Sequence, residues 1–238
     1  MNTKAILIDK DGTLIDFDAF WIPVTRAALT HILADLQRSD LDPEELLAIL
    51  GHKDGFTDIT GIFSYGGYEQ VGRAVHSYLE QHGCRCTPEQ VVELLSRHFH
   101  ANLSLAVTRP ICPDTRSLLL RLRDMGFVLS LVTTDTAQAA EECLALLNIR
   151  DCFSAIYSDD GVHPIKPDPY AIHDLCQTYR LTPDQLVMVG DTVNDMRFAR
   201  NGGIRAIGVA QAETNRATLA RYADAVIPDL SHLLEVLD

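Results

Sequence analysis

The sequence predicts an α/β protein whose core is a doubly wound, Rossmann-like parallel sheet, with an all-helical domain inserted into it. Short apolar runs typical of buried strands occur near the start of the chain and again after residue 111, where they alternate with helical segments. Between these regions, residues 17–106 carry helical periodicity without a convincing strand. We therefore predict one α/β core from residues 1–16 and 107–238, and a separate helical domain from residues 17–106.

Six apolar runs are the predicted strands of the core. The later runs alternate with helices, as a parallel sheet covered on both faces requires. Asp168-Pro169 and Thr182-Pro183-Asp184-Gln185 have the cap and first-turn proline of helix starts, and Met125-Gly126 is typical of a helix end. The predicted strands are Ala5 to Ile8, Phe127 to Val132, Ala155 to Tyr157, Leu186 to Val189, Ala206 to Val209 and Ala225 to Ile227.

The insert is predicted to contain four helices. Asp42-Pro43 and Thr87-Pro88 are good helix starts, and Gly51 and Gly83 are good helix ends. The glycine-rich segment of residues 51–67 is predicted to be a loop. The helices are expected near residues 23–37, 43–50, 68–82 and 88–103.

Composition limits the function of the protein. The chain has 238 residues, is 47% hydrophobic and carries a formal net charge of -13, so it has no broad basic field to attract a nucleic acid, although a small anion can bind locally. We found no membrane-spanning or signal-peptide pattern, which predicts a cytoplasmic protein without a membrane partner. The six cysteines are predicted to be reduced thiols. No pattern predicts an oligomeric state.

Two aspartates, Asp9 and Asp11, directly follow the first predicted strand. Since side chains alternate faces along an extended segment, we expect both carboxylates to project together while Lys10 points away. Two like charges side by side are costly unless a cation, a shared proton or hydrogen bonds compensate them. The stretch therefore predicts a site that holds something between the two carboxylates.

Three further polar stretches follow predicted strands. They contain Thr133-Thr134, Lys166-Pro167, and Gly190-Asp191 with Asp195. In an open α/β sheet the carboxyl ends of the strands converge on the ligand crevice. Phosphoryl transfer through an aspartyl-phosphate requires carboxylates, a hydroxyl and a lysine at one edge of the sheet. One carboxylate attacks phosphorus, and a cation offsets the charge of that carboxylate. A second carboxyl group donates and accepts protons.

In the order of these motifs and in their placement after predicted strands, the chain resembles the phosphatase branch of the haloacid dehalogenase superfamily. The stretch Asp9-Lys10-Asp11-Gly12-Thr13-Leu14 matches the first motif of that superfamily, Thr133 the second, Lys166 the third, and Gly190-Asp191 with Asp195 the fourth. The resemblance implies Asp9 as nucleophile and Asp11 as general acid and base. It also implies Mg²⁺ held by the Asp9 carboxylate, the Asp11 backbone carbonyl and Asp191, with Asp195 as a further or water-mediated partner.

The helical insert is similar to the cap of phosphoglycolate phosphatase-like members. The substrate implied is a small phosphorylated metabolite, bound by Thr133, Thr134 and Lys166 and by cap residues, for which the candidates are Lys53 and Arg73, with His52 beside them. The presence of Asp11 favours hydrolysis, or return of the phosphoryl group to a sugar as in phosphomutases. A non-enzymatic protein on this scaffold usually lacks one of the two aspartates. Lys10 replaces a commonly apolar residue, and we expect it to be neutral for mechanism.

Overall fold

The computed structural model describes residues 2–237, and the chain divides into two compact units. One unit runs to Asp16 and resumes at Thr108, and the other is Phe17–Val107. Within the described residues, none of the helices has the length and apolar character needed to cross a membrane.

The first unit is built on a six-stranded sheet in which every neighbouring pair of strands is parallel. The strand order is β3-β2-β1-β4-β5-β6. This order is that of a doubly wound sheet, which is the class of sheet that the sequence predicts. The first strand thus lies between β2 and β4, where the strand order reverses. The strands are β1 (Ala5–Ile8), β2 (Val128–Thr136), β3 (Ala155–Asp159), β4 (Leu186–Gly190), β5 (Arg205–Val209) and β6 (Ala225–Ile227).

Burial of the central strands explains their continuous apolar runs. All four residues of β1 and all five of β4 are buried, since helices cover a doubly wound sheet on both faces. Two helix boundaries follow the predicted signals. The helix Thr115–Asp124 ends at Met125, ahead of Gly126 at φ +91°. At the start of the helix Tyr170–Tyr179, Asp168 accepts a hydrogen bond from the Tyr170 amide. The helices of this unit are Thr115–Asp124, Ala137–Leu146, Tyr170–Tyr179, Val193–Asn201, Glu213–Leu219 and Leu233–Val236.

One predicted helix start in this unit is wrong. Thr182 and Gln185 form the predicted capping box, but it closes only a single 3-10 turn over Pro183–Gln185. The chain enters β4 at the next residue, because Leu186 and the apolar residues after it are buried in the sheet. The tertiary requirement for a central strand therefore overrides the local helix signal.

The second unit is mainly helical. Asp42 caps its second helix by accepting a hydrogen bond from the Glu44 amide, and Thr87 and Gln90 form a capping box at the last α-helix, as predicted. Its interior is made of residues such as Leu29, Leu79 and Leu95, which are fully buried. The helices are Phe17–Asp35, Pro43–Leu50, Ile62–Tyr65, Tyr68–Gln81 and Pro88–Asn102, followed by a 3-10 turn at Leu103–Leu105.

The first helix of this unit begins six residues before the predicted start, so Pro23 lies inside it rather than at its first turn. A proline removes the amide that would bond the carbonyl four residues earlier. Here that carbonyl belongs to Ala19, and it accepts a hydrogen bond of 3.2 Å from the Val107 amide. Burial of Trp21 and Val24 on either side of the proline holds the segment in place.

The insert is not entirely helical. Within the predicted loop, His52–Lys53 pairs antiparallel with Phe56–Thr57. Asp54 and Gly55 connect the two strands with φ values of +53° and +76°, as a two-residue hairpin turn requires. The Asp54-Gly55 pair was the local signal for this hairpin. Residues 51–67 were predicted to be a loop because they are rich in glycine, so the two short strands were missed.

Candidate active site

The residues of the four motifs occupy the carboxyl ends of strands around the point where the strand order reverses. Asp9 follows β1, and its amide donates to the Val189 carbonyl of β4 at 2.9 Å, which fixes the aspartate against the neighbouring strand. Thr133 lies near the carboxyl end of β2, and Asp191 follows β4. Lys166 lies in the loop after β3 and precedes a cis peptide bond to Pro167.

Lys166 connects two of the carboxylates. Its Nζ atom donates to Asp9 Oδ1 at 2.5 Å and to Asp195 Oδ1 at 2.6 Å, and all three side chains are buried. The lysine loop is itself held by the helix Val193–Asn201, since the Asn194 side chain donates to the Lys166 carbonyl at 3.3 Å and Asn201 donates to the Pro167 carbonyl at 2.9 Å. Sequence reasoning missed both asparagines.

Asp9, Asp191 and Asp195 form a group that could hold a metal ion. Each offers one carboxylate oxygen, and these oxygens lie within 4.8 Å of one another. A set of carboxylate oxygens is the donor type that hard cations such as Mg²⁺ prefer. Three carboxylates against the one ammonium of Lys166 also leave an excess of negative charge that a divalent cation would offset, so these residues fit a magnesium ion.

The pKa values of the group reflect this excess of negative charge. Burial raises the pKa of Asp9 to about 7, with Asp195 and Asp11 adding to the rise and Lys166 opposing it. Burial also raises the pKa of Asp191 well above its usual range, with Asp9 and Asp195 in the same direction. The carboxylates outweigh the cost of burying the Lys166 ammonium and raise its pKa. Lys166 is therefore a fixed positive charge in the site.

Asp195 uses both of its oxygens within the protein. Its Oδ1 accepts from Lys166, and its Oδ2 accepts from the Thr192 amide at 3.0 Å and from the Thr192 hydroxyl at 2.6 Å. Thr192 and Asp195 form the capping box of the helix Val193–Asn201. A direct metal bond from Asp195 would compete with these hydrogen bonds, which favours the water-mediated role among the two that the resemblance implied.

Two glycines make room for the carboxylates. Gly12 has φ +79°, and a Cβ atom there would overlap the Asp191 carboxylate. A Cβ atom at Gly190 would overlap the Asp195 carboxylate in the same way. Thr13, between the motif residues, also reaches Asp191 with a long contact of 3.5 Å between its hydroxyl and Oδ1. Both glycines belong to the motifs, but the sequence alone did not reveal that they form walls of the site.

The expectations for Lys10 and Asp11 need correction. Regular alternation of faces ends at Ile8, because residues 10–15 turn back on themselves, with the Leu14 amide bonded to the Lys10 carbonyl at 2.9 Å. The Asp11 carboxylate is not part of the three-carboxylate group. Its Oδ1 instead lies 2.8 Å from Nζ of Lys10, which is fully buried and also contacts Asp135 at 3.2 Å. Because Lys10 contacts the Asp11 carboxylate directly, Lys10 cannot be regarded as having no effect on Asp11.

Thr133 is buried, and its hydroxyl accepts a hydrogen bond of 3.1 Å from the Asp135 amide. Thr134, the next residue, is half-buried. The pairing of β2 with β3 changes register between Val132 and Thr136, so these residues leave the regular ladder at the end of the strand. Such irregularities are common beside active sites, where they redirect side chains.

The cap candidates belong to the second unit. Lys53 is exposed on the hairpin, and Arg73 is exposed and paired with Glu69 at 2.7 Å. His52 is buried, with its Nδ1 atom 2.8 Å from the Thr57 hydroxyl, which in turn donates to Asp18. None of the three is among the residues grouped around Lys166.

Comparison with known proteins gives the class of the protein. A family model of haloacid dehalogenase-like hydrolases matches residues 3–203, so the chain belongs to that family. It is 27% identical over 241 residues to a phosphoglycolate phosphatase of Mannheimia succiniciproducens, with 100% of both chains covered. The prediction of an enzyme, a hydrolase similar to phosphoglycolate phosphatases, is thereby confirmed.

Two solved structures share the fold. A predicted phosphoglycolate phosphatase from Haemophilus somnus 129pt superposes with a TM-score of 0.75 at 22% identity, over 99% of this chain and 98% of that chain. A candidate beta-phosphoglucomutase from Thermotoga maritima superposes with a TM-score of 0.69 at 20% identity, over 99% of this chain and 100% of that chain. The predicted fold class is confirmed by both.

Proposed function

We propose that the protein is a magnesium-dependent phosphatase that hydrolyses a small phosphomonoester, similar to phosphoglycolate or a sugar phosphate, through an aspartyl-phosphate intermediate. The observation that carries this proposal is the buried group in which Lys166 bonds both Asp9 and Asp195 beside Asp191. A carboxylate nucleophile, a fixed ammonium and oxygen ligands for a cation lie together there, as phosphoryl transfer requires.

Asp9 is the proposed nucleophile. One of its carboxylate oxygens attacks phosphorus and the bond from phosphorus to the leaving oxygen breaks. Lys166 remains protonated throughout and is placed to bind the phosphoryl oxygens, together with the hydroxyls of Thr133 and Thr134. Asp11 donates a proton to the leaving oxygen, then accepts one from the water that hydrolyses the aspartyl-phosphate.

The proposed metal ligands are the Asp9 and Asp191 carboxylates and the Asp11 backbone carbonyl, with Asp195 acting through water. A bound Mg²⁺ supplies positive charge that offsets the repulsion between the nucleophile and the phosphate. Asp191, whose pKa is raised by desolvation and by the charges of Asp9 and Asp195, would then be held as a carboxylate.

The proposed substrate class is supported by the similarity to phosphoglycolate phosphatases over the whole chain. A negatively charged metabolite needs basic groups outside the phosphate site, and Lys53 and Arg73 are proposed to supply them from the insert. We also propose that the protein is cytoplasmic and has no nucleic acid or membrane partner. These two proposals rest on the sequence alone.

The test is hydrolysis of a panel of phosphomonoesters with Mg²⁺ or with a chelator, using Asp9→Asn as the inactive control. Release of phosphate that depends on both Mg²⁺ and Asp9 supports the proposal. Conversion of a sugar phosphate into its isomer, without release of phosphate, would instead indicate a phosphomutase. If purified protein with Mg²⁺ neither hydrolyses nor isomerises any member of the panel, the proposed function is contradicted.

A further inference from the structure

Lys10 and Asp135 form a buried charged pair beside Asp11, and the reaction described above leaves both without a role. We propose that Lys10 and Asp135 are positioning residues that fix the carboxyl group of Asp11 for proton transfer. This inference rests on the proposed function, since the orientation of Asp11 matters only if Asp11 is the general acid and base.

The contacts of Lys10 link the three residues in a row. Its Nζ atom lies 2.8 Å from Asp11 Oδ1 and 3.2 Å from Asp135 Oδ2, and its side chain is 0% exposed. Asp11 retains 15% exposure. The ammonium group therefore approaches Asp11 from the protein interior, while the carboxyl group remains accessible for exchange of protons.

Asp135 is itself held by the backbone. Its Oδ1 accepts from the Thr136 amide at 2.8 Å, and its own amide donates to the Thr133 hydroxyl at 3.1 Å. These bonds lie in the segment where the pairing of β2 and β3 changes register. Asp135 thus provides a fixed point from which Lys10 extends to Asp11, and it also orients Thr133, a proposed phosphate ligand.

Stability alone does not explain this arrangement. A buried ammonium group is costly even when it is paired, and an apolar residue of similar volume is often as stable or more stable at such a position. The pair also imposes a second buried charge at Asp135, which is 8% exposed. A role in fixing the direction of Asp11 accounts for charges that packing does not require.

Orientation affects catalysis through distance and angle. A general acid must lie within hydrogen-bonding reach of the leaving oxygen, and a misplacement of about 1 Å can lower the rate by about 10²-fold. Loss of the Lys10 contact would remove one constraint on the Asp11 carboxyl group, which would then reach the leaving oxygen less often. The loss should depend on how much the leaving group needs a proton.

The experiment compares two substrates with different leaving groups. An alkyl phosphate needs protonation of its leaving oxygen, whereas nitrophenyl phosphate releases a stable anion without it. The value of kcat/KM reports formation of the aspartyl-phosphate for each substrate. The test protein is the double variant Lys10→Met with Asp135→Asn, which removes both buried charges together and avoids stranding either one.

We expect the double variant to lose about 10²-fold in kcat/KM on the alkyl phosphate and far less on nitrophenyl phosphate. Asp11→Asn should show the same selective pattern with a larger loss. Asp135→Asn alone keeps the Lys10 contact with Asp11, so it should show the same pattern with a smaller loss, and it decides the question if the double variant does not fold. Lys4→Met, at an exposed lysine of the same unit, is the matched control.

Equal losses on both substrates, or no loss on either, would overturn the positioning role. A general structural defect lowers both values together, because it reduces the amount of active enzyme. This failure is distinguishable from failure of the proposed function. In the first case the wild type still hydrolyses both phosphates with Mg²⁺, and in the second case the wild type hydrolyses neither.

Discussion

The Lys166 ammonium group lies 2.5 Å from Asp9 Oδ1, although the two residues are 157 positions apart in the chain. The same nitrogen lies 2.6 Å from Asp195 Oδ1. Three segments of the chain, which follow β1, β3 and β4, are thus joined by one buried ammonium group. The three carboxylates concentrate the negative charge that binds a divalent metal ion, and the fixed ammonium of Lys166 supplies positive charge for a phosphate anion.

Lys166→Met should unfold more easily than the wild type. Without the ammonium, Asp9 and Asp195 are buried with no positive partner, and breaking a buried pair in this way costs about 3–5 kcal/mol. The measurement is the thermal midpoint in chelator, with Lys4→Met as control. The loss should be smaller at pH 5 than at pH 8, because Asp9, whose pKa is about 7, no longer needs the cation once it is protonated. An unchanged midpoint at pH 8 would contradict the structural role of the pair.

Asp191→Asn should have opposite effects on stability and on metal binding. In chelator the variant should be more stable than the wild type, because it removes a carboxyl group whose ionisation is opposed by desolvation and by the charges of Asp9 and Asp195. The rise in thermal midpoint on adding Mg²⁺ should be largely lost, since a ligand is missing. Titration of both proteins with Mg²⁺ checks this, and a variant that retains the full rise would exclude Asp191 as a ligand.

The stability of the metal-free protein should fall as pH rises from about 4 toward 7. Asp9 has a folded-state pKa of about 7, above its usual value of 3.8, so the folded state retains a proton that the unfolded chain has lost in this window. Stability from this group is therefore highest below pH 4 and lost by about pH 7, by at most about 4 kcal/mol. Urea unfolding at several pH values in chelator measures the slope. Asp9→Asn should flatten it, and an equal slope in the variant would refute the assignment.

Gly12→Ala should impair the site beyond the backbone strain that it introduces. Gly12 and Gly161 have φ values of +79° and +71°, so alanine is strained at both positions. Only at Gly12 does the new Cβ atom overlap the Asp191 carboxylate, whereas nothing lies within 4 Å at Gly161. We expect Gly12→Ala to lose most of its hydrolysis and Mg²⁺ response, and Gly161→Ala to retain both. Similar activity in the two variants would show that strain alone matters.

The sequence predicted the sheet well because buried parallel strands leave continuous apolar runs. All six predicted strands are present in the first unit, with β2 extended from Val132 to Thr136. That extension includes the register change between Val132 and Thr136, which has no apolar signature. Local signals failed where tertiary packing decided the outcome, as at Thr182, where a capping box closes one turn before a strand, and at Pro23, inside a helix.

The motif positions could be predicted, but their contacts could not. Strand-end placement indicated that Asp9, Lys166 and Asp191 would lie near one another, and Lys166 bonds Asp9 as part of the group. The direction of Lys10 depended on a turn that begins just after β1, so the period-2 rule did not apply to it. Its partner Asp135 lies 125 positions away, and no pattern in a single sequence connects the two residues.

The most direct test of the account is whether Asp9 carries the phosphoryl group. Wild type and Asp9→Asn are incubated with a labelled phosphomonoester and Mg²⁺, quenched in acid, and the labelled peptide is identified by mass spectrometry alongside phosphate release. We expect label on Asp9 of the wild type, no label on the variant, and turnover lowered by at least about 10³-fold, since an amide is a poor nucleophile. Near-normal hydrolysis by Asp9→Asn, or label on another residue, would contradict the assignment of the nucleophile.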